Sequence, residues 1–159
     1  MKIAYALFAA ALLGTGTCDN GRESSDSPDP ASALEADRSA HDFGRVRIDG
    51  GPVETVFDIV NDGASEVRLL AVSTSCGCTK ATAEFADGST VGSFDAPIDG
   101  DPADAGRQVS VGEAFQVRVT FDPAAHGPDG VGQLMREVVL ATLDGGQTRL
   151  VITADVVRG

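Results

Sequence analysis

Apolar and polar residues alternate along much of this chain, and this period restricts what the chain can fold into. The clearest case is the segment 113–122, where Phe115, Val117, Val119 and Phe121 alternate with polar residues. Successive side chains of a β-strand point to opposite faces, so the pattern predicts a strand with one face in the core. An amphipathic helix requires a period near 3.6 residues, which this segment does not have.

Four further strands are predicted from the same kind of pattern. Residues Val53–Asn61 alternate, with Val53, Thr55, Phe57 and Ile59 on one face, and are followed by turn residues. Residues 67–72 are apolar almost throughout, which is typical of a strand covered on both faces or lying at a sheet corner. Residues 137–143 and 148–157 flank the hairpin signal Asp144-Gly145-Gly146.

Residues 40–159 are therefore predicted to form one all-β domain. About seven short strands without any segment of helical period indicate a two-sheet antiparallel sandwich of immunoglobulin-like type. The segment 85–108 is rich in Gly, Asp and Pro, and it predicts an inserted acidic loop, either mobile or folded as an edge hairpin. Its carboxylates do not have the spacing of a calcium loop, so no metal is expected at Asp95, Asp99, Asp101 and Asp104.

The first 39 residues predict export rather than a folded unit. Lys2 and the apolar run 3–13 are typical of a signal peptide, here 1–17, and the run is too short to span a bilayer. Residues 18–39 are rich in Ser, Asp, Pro and Gly, which predicts a flexible acidic tether. We expect lipidation of Cys18 and a membrane-anchored protein of the cell envelope, the alternative being ordinary cleavage among the nearby small residues.

The formal net charge of −12 argues against nucleic-acid binding. Such binding rests on clustered Lys and Arg, and the 12 basic residues of this chain are scattered. The sequence also contains no Gly-x-Ser-x-Gly turn and no Gly-rich phosphate loop. We expect a binding protein rather than an enzyme, with no cofactor and no nucleic-acid partner.

Two cysteines one residue apart, in Ser75-Cys76-Gly77-Cys78-Thr79, form the only candidate chemical site. On a straight strand their Cα atoms would lie about 6.6 Å apart, near the upper limit for a disulfide. Gly77 has no Cβ and is expected to let the backbone bend, which would bring the two sulfurs together. A disulfide is therefore feasible at this strand end, but its minimal loop would contribute little to stability.

Three roles stay open for Cys76 and Cys78. The pair could be a structural turn element, a redox-active pair facing exchange partners outside the cytoplasm, or part of a metal site. Two thiolates suit Cu(I) or half of a zinc site, and completion would require His41, His126, Met135 or a second molecule. The histidines are candidates by availability, because the sequence does not place them near the pair.

Several short motifs resemble the bacterial domain-of-unknown-function 1573 family. They are His41-Asp42-Phe43-Gly44, Phe57-Asp58-Ile59-Val60-Asn61-Asp62-Gly63, Ser75-Cys76-Gly77-Cys78-Thr79, Val111-Gly112-Glu113 and Phe121-Asp122. The resemblance covers residues 40 to 157, and the cysteine pentapeptide is its most specific part. It implies an exported immunoglobulin-like domain related in fold to PapD-like and major sperm protein sandwiches, and it brings no assigned activity.

The sequence thus favours an exported, lipid-anchored domain that binds another envelope protein through exposed strand edges or loops. The alternative is a redox-active or copper-handling accessory protein that uses Cys76 and Cys78. The fold does not choose between these functions, because the same sandwich hosts many of them.

Overall fold

A computed structural model describes residues 32–92 and 106–159, which fold into two β-sheets packed face to face. The described residues form ten strands, five in each sheet. In chain order they are β1 (Leu34–Ala36), β2 (Ala40–Arg47), β3 (Val53–Asn61), β4 (Val67–Thr74), β5 (Thr79–Glu84), β6 (Thr90–Gly92), β7 (Arg107–Val109), β8 (Ala114–Phe121), β9 (Gly132–Thr142) and β10 (Gln147–Val157). Within these two ranges there is no helix long and apolar enough to cross a membrane.

The strand order confirms the predicted all-β sandwich. The first sheet has the order β1-β3-β8-β5-β6, and the second has the order β2-β10-β9-β4-β7. Neighbouring strands are antiparallel, except that β2 and β10 run parallel. This parallel pair makes the second sheet mixed, because the chain leaves the first sheet after β1 and enters the second beside its last strand.

The core lies between the sheets and is built from the alternating residues. On β8, the four apolar residues of the predicted inward face are at most 3% exposed, which confirms the predicted register of this strand. Fully buried residues opposite them in the second sheet are Leu69, Val72, Val138, Leu140, Leu150 and Ile152. Full burial of one such side chain is worth about 1.5–3 kcal/mol, so the two faces hold each other in place.

The ten strands exceed the expected count of about seven, and three of them, β1, β6 and β7, have only three residues each. A stretch of three residues is too short to display a period of two. β6 lies inside the predicted insertion 85–108, and β7 begins there and ends at Val109. β6 pairs with the preceding β5 as an edge hairpin of the first sheet, whereas β7 pairs with β4 in the second sheet. The remaining residues 93–105, which include Asp95, Asp99, Asp101 and Asp104, lie outside the described part of the chain.

The folded domain begins before the predicted boundary at residue 40. Leu34 lies in β1, which pairs with β3, and its side chain is 2% exposed. Arg38 places its guanidinium 4.8 Å from the ring centre of Phe57 and donates a hydrogen bond to the carbonyl of Val56. The last part of the predicted tether 18–39 is therefore structured, because a single buried leucine anchors it. The predicted signal peptide 1–17 and Cys18 lie outside the described residues.

A β-bulge interrupts β2 at Gly44. Asp42 pairs with Thr153 and Arg45 pairs with Asp155, so β2 has one residue more than β10 between these two pairs. Gly44 has a φ of 64°, a left-handed conformation that costs a residue with a Cβ more than it costs glycine. The N–H of Gly44 donates to Oδ1 of Asp42 at 2.9 Å, and this bond, with one from the Thr153 hydroxyl, lowers the pKa of the Asp42 carboxyl.

Substitution Gly44→Ala is expected to lower the free energy of unfolding by about 1–2 kcal/mol, because alanine is strained in the left-handed region. A Cβ at Gly44 meets no atom within 4 Å, so the conformation and not a clash causes the loss. Gly92→Ala is the matched control, since Gly92 also has open space but no left-handed φ, and it should change stability by less than about 1 kcal/mol. Urea unfolding measures both variants, and equal effects would contradict this account of the bulge.

Candidate functional site

The two cysteines lie in the turn that carries the chain from the second sheet to the first. β4 ends at Thr74 and β5 begins at Thr79, so the predicted position at a strand end is confirmed. The N–H of Thr79 donates to the carbonyl of Cys76 at 3.0 Å and closes the turn. The hydroxyl of Thr74 contacts the carbonyls of Cys76 at 3.2 Å and Thr79 at 3.0 Å. The backbone of the turn is therefore held from both ends.

Cys76 and Cys78 are joined by a disulfide in this structure. Their Cα atoms are 5.2 Å apart, clearly closer than on a straight strand, so the turn supplies the bend that the bond requires. The expected role of Gly77 is not supported. Gly77 does not have a left-handed φ, and a Cβ built there would meet no atom within 4 Å. Hydrogen bonds of the turn, rather than the missing side chain, produce the bend.

The surroundings of the two sulfur atoms differ. Cys78 is 4% exposed and packs in the core cluster, whereas Cys76 is half-buried. Two N–H groups donate to the sulfurs: the backbone of Cys78 to Sγ of Cys76 at 3.1 Å, and Nε of Arg136 to Sγ of Cys78 at 3.3 Å. Donors of this kind, and above all a guanidinium, stabilise negative charge on sulfur. The site therefore suits thiolates as well as a disulfide.

One histidine completes a group of three potential ligands. Nε2 of His126 lies 3.3 Å from Sγ of Cys76, and the ligand atoms of His126, Cys76 and Cys78 all lie within 4.8 Å of one another. The other two candidates lie elsewhere. His41 packs edge-on against Phe43 in β2, with ring centres 4.7 Å apart. Met135 precedes Arg136 in β9 and so points to the opposite face of the sheet, where it is 63% exposed.

The loop that carries His126 is fixed to the cysteine turn at its first residue. The N–H of Asp122 donates to the carbonyl of Cys78 at 2.9 Å, and the Asp122 carboxylate accepts a bond from the N–H of Ala124 at 2.9 Å. Further along, Gly130 leaves room for the histidine, because a Cβ at Gly130 would lie only 2.9 Å from the Cβ of His126. The position of His126 thus depends on both ends of its loop.

A cavity of about 280 Å³ adjoins the site. His126 and Arg136 line it, together with Phe121 at the end of β8 and Leu134 in β9. Arg136 was not predicted from the sequence as a site residue. Its side chain is on the same face of β9 as the buried Val138 and Leu140, and a charged residue on the inward face of a strand is the signal that could have found it.

Comparison with known families confirms the resemblance predicted from the sequence. Residues 34–89 match the family described as a protein of unknown function, DUF1573. The matched segment runs from β1 through β5 and contains the cysteine turn, whereas His126 and Arg136 lie beyond its end. No curated protein matches this chain.

Two similar solved structures with TM-scores above 0.5 support the fold. A protein of unknown function from Porphyromonas gingivalis is 18% identical with a TM-score of 0.54, over 77% of this chain and 46% of that one. A family 123 glycoside hydrolase from Clostridium perfringens is 9% identical with a TM-score of 0.51, over 80% of this chain and 28% of that one. This chain thus spans less than half the length of either. A PapD-like domain of human CEP192 is 14% identical over 97% of this chain and 99% of that one, with a TM-score of 0.45.

Removal of the disulfide should leave the domain folded. A 15-residue loop closed by a disulfide is worth about 3 kcal/mol, and the loop between Cys76 and Cys78 is far shorter, so we expect a loss of about 2 kcal/mol or less. Urea unfolding of the oxidised protein, the reduced protein and the variant Cys76→Ala/Cys78→Ala measures this loss. Reduction that abolished cooperative unfolding would show that the disulfide holds the fold together.

Proposed function

We propose that this chain, whose residues 34–89 match the DUF1573 family, is an exported and lipid-anchored protein of the bacterial cell envelope. Its sandwich domain binds an extended segment of another envelope protein along the outer edge of β2. The anchor is a lipid on Cys18, and residues 19–31 separate the anchor from the folded domain. The single observation that supports the binding role is the length of the open edge that β2 presents.

β2 is the terminal strand of the second sheet and has eight residues. The other three terminal strands of the described sheets, β1, β6 and β7, have three residues each. A terminal strand leaves a row of backbone N–H and C=O groups without partners in the sheet, and an extended peptide can bind there as an added strand. Among the terminal strands of the described sheets, β2 alone is long enough for such a peptide to pair over more than three residues.

The surface beside β2 can contact the side chains of an added strand. A cavity of about 470 Å³ lies next to the bulge and is lined by residues that include Asp42, Arg45, Met135 and Asp155. Met135 supplies exposed apolar surface, while Asp42 and Arg45 supply charges of both signs. Backbone pairing would provide affinity and these side chains would provide selectivity, as in other complexes formed by strand addition.

A second candidate function is thiol–disulfide exchange by Cys76 and Cys78. It is favoured by the half-buried Cys76 sulfur and by the two N–H donors directed at the sulfurs, since exchange requires an accessible thiolate. The two functions use different surfaces, because Cys76 lies at the turn between β4 and β5 and not on β2. They can therefore be tested separately.

A photo-crosslinking residue at Arg47, an exposed position of β2, should capture a different envelope protein in intact cells. The same crosslinker at Gln116, which is also exposed but lies on β8 and is paired on both sides, is the matched control and should capture little. The variant Cys76→Ala/Cys78→Ala should retain the Arg47 product. Equal capture from both positions, or capture only of the chain itself, would contradict binding at the β2 edge.

The anchor is tested by the variant Cys18→Ala. We expect the wild-type protein in the membrane fraction with a lipid-modified N-terminal cysteine, and the variant in the soluble fraction, because a lipid on Cys18 is the proposed attachment. Cell fractionation and mass spectrometry of the mature N-terminus give the answer. An unmodified N-terminus on membrane-associated wild-type protein would rule out lipidation.

A further inference from the structure

The ligand group of Cys76, Cys78 and His126 has the composition of a site for a soft metal ion. Two sulfurs and one imidazole nitrogen lie within 4.8 Å of one another, on two loops that a backbone hydrogen bond joins. We infer that the reduced thiols of Cys76 and Cys78, with Nε2 of His126, bind one Cu(I) ion. The disulfide form does not bind it, so the oxidation state of the pair controls occupancy.

The choice of Cu(I) follows from the number and the type of ligands. Thiolate sulfur is a soft ligand that selects Cu(I), and imidazole also suits copper. Structural zinc sites are almost always four-coordinate, and in residues 32–92 and 106–159 the group contains only three His, Cys, Asp or Glu side chains. Cu(I) is satisfied by two or three ligands, so the three side chains suffice for Cu(I), whereas Zn²⁺ would need a fourth ligand such as water.

The charge around the site fits the same ion. Two thiolates and one Cu(I) ion have a net charge of minus one, and the guanidinium of Arg136 donates to Sγ of Cys78 at 3.3 Å. This contact places a positive charge beside Cys78, the most buried of the three ligands, and so offsets the negative charge of the complex. The N–H of Cys78 gives the Cys76 sulfur a second donor at 3.1 Å. Outer contacts of this kind orient ligands and tune affinity.

The backbone need not rearrange to bind the ion. The Cα atoms of Cys76 and Cys78 are 5.2 Å apart, so rotation about the Cα–Cβ bonds can separate the sulfurs once the bond between them is broken. Metal–sulfur bonds of about 2.3 Å and metal–nitrogen bonds of about 2.0 Å then fit between the three ligands. His126 is exposed and lies on the solvent side of the group, where the ion would enter.

A dithiol reductant attacks the Cys76–Cys78 bond by exchange, its own two thiols become a disulfide, and Cys76 and Cys78 become thiols. Binding of Cu(I) then releases two protons, one from each thiol, and changes no oxidation state. A partner disulfide of higher reduction potential can then oxidise Cys76 and Cys78 to their disulfide and is itself reduced to two thiols. The copper ion loses two ligands and is released.

The test uses purified full-length protein and Cu(I) itself, without oxygen and in competition with a chromophoric Cu(I) chelator. Reduced wild-type protein should bind one equivalent of copper, and the oxidised protein should bind at least about tenfold more weakly. X-ray absorption should find two sulfurs and one nitrogen around the copper. His126→Gln should lose the nitrogen and weaken binding about tenfold or more, whereas His41→Gln, at the other histidine, should match wild type.

Arg136→Gln serves as a positioning variant, expected to weaken binding about tenfold while the two sulfurs and one nitrogen remain around the copper. Circular dichroism of each variant checks that the fold is intact. Three results would each overturn the inference. They are equal copper affinities of His126→Gln and His41→Gln, copper binding by the oxidised protein as tight as by the reduced protein, and a preference of the reduced protein for Zn²⁺ over Cu(I). Strand addition at β2 does not involve these residues, so its success or failure is independent of this result.

Discussion

The pairing of β5 with β8 brings the cysteine turn next to the loop that carries His126. In this pairing Thr79, the first residue of β5, lies opposite Phe121, the last residue of β8. The cysteine turn therefore ends where the loop that carries His126 begins. Cys78 precedes Thr79 and Asp122 follows Phe121, and the backbone hydrogen bond of 2.9 Å between them extends the pairing past the sheet. A shift of register would separate the cysteine turn from the loop that carries His126.

Burial on β8 fixes this register. Val117, Val119 and Phe121 are at most 1% exposed, and a slip by one residue would turn all of them toward solvent. The core of the sandwich therefore positions the site, although no core residue other than Cys78 contributes a ligand atom. We therefore expect the site to persist when the disulfide is reduced, since burial on β8 and not that bond fixes the register.

The sequence predicted β3, β4, β8, β9 and β10 because their apolar residues extend over enough positions to show a pattern, but no bounds were predicted for β2 and β5. It did not predict β1, β6 and β7, whose three residues show none, or the parallel pairing of β2 with β10, which depends on where the chain crosses between sheets. The predicted tether reached residue 39, although Leu34 already packs in the core. A polar composition around one leucine does not reveal that the leucine is buried.

Cysteine spacing identified one half of the candidate site, and topology was needed for the other half. His126 follows Cys78 by nearly fifty positions, and nothing in its own neighbourhood distinguishes it from His41 until β5 and β8 are paired. Arg136 was overlooked because the strand that carries it was expected to begin at residue 137, one position later. Both residues also lie outside the segment that matches the DUF1573 family, so that match alone does not indicate the complete group.

Anomalous diffraction at the copper absorption edge tests the copper site directly. Crystals of the reduced protein would be grown with Cu(I) in the absence of oxygen. We expect a single peak between Sγ of Cys76, Sγ of Cys78 and Nε2 of His126, with the guanidinium of Arg136 still against the Cys78 sulfur. A peak shared by the cysteines of two molecules, with His126 turned away, would contradict it.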